Sequence, residues 1–176
     1  MRHLLLLPFA LAACSAQAVT DTSAMAPSAS ALRTSSVVAH SVTGSAIQRI
    51  GPGCEYATTA SVRSDASGAV SGQVIVRIID LSAYGYTGKA EVHQEVTCMR
   101  VVGNTAWMGL RVTSSSDPVA FPVGSLGVFW VRDGGPHGAD VGHGGPAPFF
   151  DPMNQICTST PPDLPRDAMT GNFEVR

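Results

Sequence analysis

Apolar residues recur at every second position through most of the chain after Val37, and this period of two decides what the chain can fold into. In residues 69–80, Val70, Val74, Val76 and Ile78 share one face, while Ser71, Gln73 and Arg77 share the other. In residues 89–102, Ala90, Val92, Val96 and Cys98 face inward, and Lys89, Glu91, His93, Glu95 and Thr97 face out. Residues 105–113 place Ala106, Met108, Leu110 and Val112 on an inner row, and residues 125–132 place Leu126, Val128 and Trp130 there. Further strands are expected at 37–47, 54–63 and 172–176. Turn signals fall between the strands, at Asp65-Ala66-Ser67-Gly68, at Gly85 to Gly88 and at Val102-Gly103-Asn104. No stretch of ten residues carries amphipathic helical spacing. The expected fold is therefore all-β: one domain over 37–176, an antiparallel meander closed as a small barrel or folded as a sandwich.

Met1-Arg2-His3 followed by the apolar run from Leu4 to Ala13 reads as a secretory signal. Ten helical residues rise only about 15 Å, half of a hydrocarbon core, so the run does not span a bilayer. Two cleavage readings stay open. Leu11-Ala12-Ala13-Cys14 has the form of a lipobox, with cleavage before Cys14 and a diacylglyceryl group on its sulfur. Ala16-Gln17-Ala18 fits ordinary export, with cleavage after Ala18. With Cys14 as the lipidation site, residues 14–36 form a flexible linker rich in Ala, Ser and Thr, with an r.m.s. span of roughly 26 Å. The membrane is then a partner through the lipid anchor, and the location is the cell envelope. Only 14% of the 176 residues are charged and the formal net charge is −2. Lys89 is the single lysine. Nucleic acid is not an expected partner, because phosphate contacts need clustered cations.

Beyond Cys14 the cysteines are Cys54, Cys98 and Cys157, which in an exported chain suggests one bridge and one thiol. Centring the turns near Ala66 and Tyr84 places Cys54 opposite residue 78 and Cys98 opposite residue 70. These two then lie roughly 26 Å apart, beyond disulfide reach. Cys98–Cys157 is the expected pair, tying the loop-rich C-terminal segment to the fourth strand.

Several segments resemble a family of exported bacterial β-rich proteins: Val42-Thr43-Gly44, Val70-Ser71-Gly72-Gln73, the run from Val96-Thr97-Cys98 through Val101-Val102-Gly103-Asn104 to Ala106-Trp107-Met108-Gly109, and Gly171-Asn172-Phe173-Glu174-Val175-Arg176. The similarity covers about residues 40 to 176. It implies a β-rich exported domain, and Cys98 and Cys157 match the two cysteines of the family. It implies no established activity, so no catalytic residue is carried over. Where family members tend to carry an acidic D-N-G-E-G stretch, this chain has Asp133-Gly134-Gly135-Pro136.

For chemistry, the best candidate is the loop over 133–151, with His137, Asp140 and His143 at three-residue intervals between Asp133 and Asp151. Two imidazoles and a carboxylate suit Zn²⁺ or another divalent metal, and would serve a metal-binding protein or a metal-dependent hydrolase. Glu91, His93 and Glu95 form an exposed row whose two carboxylates sit about 13 Å apart, too far for a glycosidase pair. Ser125 is a turn residue rather than a nucleophile, since it precedes a strand. Trp107 is expected to face outward and Trp130 inward, and Phe149-Phe150 to plug one end of the core. Three functional readings follow. The first is a non-enzymatic binding or structural module of the envelope, with an envelope protein as partner. The others are the metal protein and a carrier holding a small ligand in a barrel lumen.

Overall fold

A computed structural model describes residues 38–136, 139–146, 153–158 and 167–176. The expected signal, Cys14 and linker lie outside them, as do His137, Phe149 and Phe150. The described residues belong to one compact unit. Eight antiparallel strands follow in chain order: β1 (Val38–Gly51), β2 (Cys54–Asp65), β3 (Val70–Asp80), β4 (Ala90–Val102), β5 (Thr105–Ser115), β6 (Leu126–Arg132), β7 (Val141–Pro146) and β8 (Asp167–Val175). Each pairs with the next and β8 pairs with β1, so the meander closes into a ring rather than a sandwich. A short helix, α1 (Met153–Thr158), lies between β7 and β8 in the chain.

The alternation read from sequence places the interior of the first five strands. Val42 and Ala46 of β1, Ala60 and Val62 of β2, Val74 of β3 and Met108 and Leu110 of β5 join one buried cluster with Phe129, Val131, Met169 and Phe173. Phe129 and Phe173 meet with ring centroids 5.7 Å apart. Burying side chains of this size stabilises by roughly 1.5–3 kcal/mol each. A second cluster, holding Cys54, Tyr56, Ile78, Ala90, Val92 and Val112, fills another part of the interior. Apolar residues inside and Arg63, Arg77, Glu95 and Arg111 exposed outside reverse the pattern of a membrane-spanning barrel.

Two expectations fail on parity. Cys98 does not face inward. The β4–β5 register shifts between Val96 and Cys98, a β-bulge that turns the strand over by one residue. Beyond it, Met99 and Val101 pack against the interior cluster, and Cys98 reaches the outer face. In β6 the inner row is Phe129 and Val131, not Leu126, Val128 and Trp130. Leu126 is 40% exposed, whereas Val128 and Trp130 are buried on the outer side. β6 is buried on both faces from Gly127 to Val131, so its sequence carries no alternation to read. α1 packs against β4, β5 and β6, with Ile156 buried and Cys157 bonded to Cys98 at a Cα separation of 6.2 Å. The expected disulfide is thus present, on the outside of the ring.

Glycine permits a close approach between β2 and β3 at Gly72. Its φ is +132°, and a Cβ there would lie 2.2 Å from the Ser61 carbonyl oxygen. Gly72→Ala is expected to cost roughly 2–4 kcal/mol, since it adds left-handed strain to a backbone collision. The urea midpoint checks this, and an unchanged midpoint would contradict the account.

Candidate functional site

The segment singled out for chemistry lies where the ring closes. β8 is paired along β1 from Val42↔Val175 to Gln48↔Met169. On its other side it meets β7 only at Val141↔Ala168 and Gly142↔Asp167. Backbone N–H groups of β8 beyond these two rungs need other partners, because an unpaired buried N–H is costly. Two aspartates of the β6–β7 connection supply them. The Met169 N–H donates to the Asp140 carbonyl at 3.0 Å. The Phe173 N–H donates to Asp140 Oδ2. The Val175 N–H donates to Asp133 Oδ2 at 3.2 Å.

The same carboxylates shape their own loop. Asp140 Oδ1 accepts the Gly134 N–H at 2.9 Å and Asp133 Oδ1 accepts the Gly135 N–H at 2.6 Å. Asn104 brackets Asp133, donating from Nδ2 to its carbonyl at 2.6 Å and accepting its N–H at 2.9 Å. Gly135 has φ +69°, a conformation that glycine adopts without strain. Asp140 is only 4% exposed, and both of its carboxyl oxygens are taken up by backbone donors.

From inside the ring, Gln48 and Tyr56 complete the β7 edge. Gln48 Nε2 donates to the Gly142 carbonyl at 2.6 Å. The Tyr56 hydroxyl donates to the Gly144 carbonyl at 3.1 Å and accepts the Gly144 N–H at 3.4 Å. Burial pushes the Tyr56 phenol well above its ordinary pKa, so it stays a neutral donor. Burial likewise pushes the Cys54 thiol up, with Asp167 adding to the effect. A thiol kept protonated is a poor nucleophile.

Of the three residues expected to hold a metal, Asp140 and His143 are described. His143 lies in β7, opposite Trp130 on the outward row, with Nδ1 2.8 Å from Asp167 Oδ2. Asp140 turns inward to Gly134 and Phe173. A spacing of three suits one face of a helix, but in extended chain an odd spacing sends side chains to opposite faces. Among the described residues no three His, Cys, Asp or Glu side chains gather as a metal site.

Elsewhere the outer face is an ordinary polar surface. Glu91 pairs with Arg77 at 2.6 Å and with His93 at 2.9 Å, and Arg77, then His93, hold its carboxyl below the usual range. Ser125 is a turn residue of the β5–β6 connection, its N–H donating to the Pro122 carbonyl at 3.1 Å. Arg100 lies 5.9 Å from the centre of the Trp107 ring, a cation–π contact on the outer face. A shallow groove of about 460 Å³ crosses the outside of β2 to β5, lined by Ser61, Gly72, Gln73, Gln94, Glu95 and Thr113.

Sequence reasoning missed Asp133 and Gln48 as members of the closure. Gln48 had a signal, being a polar residue on the row of Val42 and Ala46. Asp133 had none, because its partner is a backbone N–H forty-two residues later in the chain. No protein-family model, no curated protein and no solved structure matches the chain.

Proposed function

We propose that this is an exported protein, lipid-anchored through Cys14, whose β-domain is a non-enzymatic binding or structural module of the cell envelope. The observation that carries the non-enzymatic part is the commitment of Asp133 and Asp140 to backbone N–H groups of their own loop and of β8. These carboxylates serve ring closure. The anchor rests on Leu11-Ala12-Ala13-Cys14 and on the linker that would separate the domain from a bilayer. The interior side chains, gathered in two clusters, favour a packed ring over a carrier with an open lumen.

The His143–Asp167 contact favours a second reading, a divalent metal held by His143 with His137. A carboxylate on Nδ1 is the usual outer partner of a metal-ligating imidazole. In this reading Asp140 is not a ligand.

Native mass spectrometry of protein taken from its own envelope separates the readings. The anchored module gives a chain beginning at an acylated Cys14, and Cys14→Ser moves it from the membrane to the soluble fraction. An unacylated chain cut after Ala18 overturns the anchor. A stoichiometric metal mass lost in His137→Ala and His143→Ala would replace the first reading by the second.

A further inference from the structure

The two apolar clusters of the ring interior meet through Val76 of β3, which packs against both, but on three other strands a polar residue falls between them. On β1 the inward row runs Val42, Ala46, Gln48 and Ile50, with Ala46 in the first cluster and Ile50 packed against the second. On β2, Thr58 lies between Tyr56 of the second cluster and Ala60 of the first. On β4, Gln94 lies between Val92 of the second and Val96 of the first. Gln48 is 0%, Thr58 1% and Gln94 9% exposed. Buried polar residues of β1, β2 and β4 therefore form a layer at the boundary, interrupted on β3 by Val76.

Its hydrogen bonding is incomplete in a specific way. Gln48 Nε2 lies 2.6 Å from the Gly142 carbonyl oxygen, which fixes the amide orientation, because an oxygen in that place would face another oxygen. The acceptor end, Gln48 Oε1, has no partner among the described residues, and neither does Thr58 Oγ1. Gln48 and Thr58 sit on paired strands with Gln48 opposite Tyr56 and Ala46 opposite Thr58, so they are diagonal neighbours on one face. β6 brings no side chain to the layer at Gly127, where a Cβ would lie 3.0 Å from Gln94 Oε1. Leaving a buried amide oxygen and a buried hydroxyl unpaired would destabilise the ring, and a small neutral hydrogen-bonding molecule satisfies both.

We infer that the layer is a binding site for buried water, one molecule donating to Gln48 Oε1 and meeting the Thr58 hydroxyl. The site carries no charged group, so it selects a neutral occupant. Gln94 belongs to the layer and is also the buried residue lining the outer groove, where the β3–β4 ladder ends at Gln73↔Glu95.

Thr58→Val tests this by sign in the oxidised full chain, because it exchanges a hydroxyl for a methyl of the same shape. With water bound, the substitution strips the water of a partner, and Tm falls by about 3–6 °C. In a dry layer the same change removes an unpaired hydroxyl, so an unchanged or raised Tm overturns the inference. Should the variant not fold, a high-resolution crystal structure of the unaltered protein decides. Electron density within hydrogen-bond distance of both Gln48 Oε1 and Thr58 Oγ1 supports the site, and empty space there overturns it.

Discussion

Asp140→Asn is expected to lower the stability of the ring by about 2–4 kcal/mol, because one buried and one part-buried backbone donor depend on one carboxylate. Asp140 Oδ1 serves Gly134 and Oδ2 serves Phe173, and the residue is 4% exposed. An asparagine keeps the shape but turns an NH₂ group toward one of the two N–H donors, so one bond becomes a repulsion and the charge assistance of the other is lost. Urea unfolding measures the loss. Amide hydrogen exchange tests its cause, since the Phe173 N–H should exchange faster while Thr170, paired with Ile47 on β1, changes less. An unaltered Phe173 rate would remove Asp140 from the closure.

Removing the Cys98–Cys157 bridge by a double change to Ala is expected to cost about 4 kcal/mol in the chain-entropy account, since it closes a loop with a sequence separation of 59. For a domain of this size the drop in Tm is roughly 15 °C. A local effect should accompany it, because α1 packs against β6, whose outer-side Val128 and Trp130 are 1% and 3% exposed. Released from the bridge, α1 no longer shields that side, and the emission of Trp130 shifts toward that of an indole in water. Thiol labelling of the denatured, unreduced protein should find Cys54 and not Cys98. A labelled Cys98 would contradict the bridge.

What could be read in the sequence was whatever a single strand states about itself. Val70, Val74, Val76 and Ile78 share a face in the chain as they do on paper, because β3 is exposed on one side and its inward row is apolar, even though Ile75 and Ile79 stand on the outward row. The expected turn at Tyr84 gives the observed register from Gln73↔Glu95 to Ile78↔Ala90, but the ladder ends before it reaches Cys98. The neighbouring turn was misplaced. Ile78 is opposite Tyr56 rather than Cys54, because Asp65 Oδ1 accepts the Ser67 and Ala69 N–H groups at 2.8 and 3.0 Å and moves the reversal along the chain. Illegible features were those decided between strands. The bulge that turns Cys98 outward depends on a register with β5, and the burial of Trp130 on the outside accompanies a helix from a distant segment. In the loop over 133–151, glycine-rich composition concealed β7, whose Gly142, Gly144 and Gly145 carry no side chain to mark a period. Asp140 was singled out as a metal ligand, whereas the contacts its carboxylate makes in the structure are to the Gly134 and Phe173 N–H groups. Its ligands are backbone N–H groups, which any sequence supplies and none advertises.

The pairing of β1 with β8 makes the domain slow to complete and intolerant of interruption. Val42 meets Val175 and Gln48 meets Met169, so the contacts that close the ring join residues more than a hundred positions apart. Hairpins from β1 to β6 form locally, but the loop-closure entropy of the final seam is met in one step. During synthesis β1 emerges first and waits with one edge unpaired until β8 follows. That interval, rather than the finished ring, is when an exposed strand edge invites pairing with another chain.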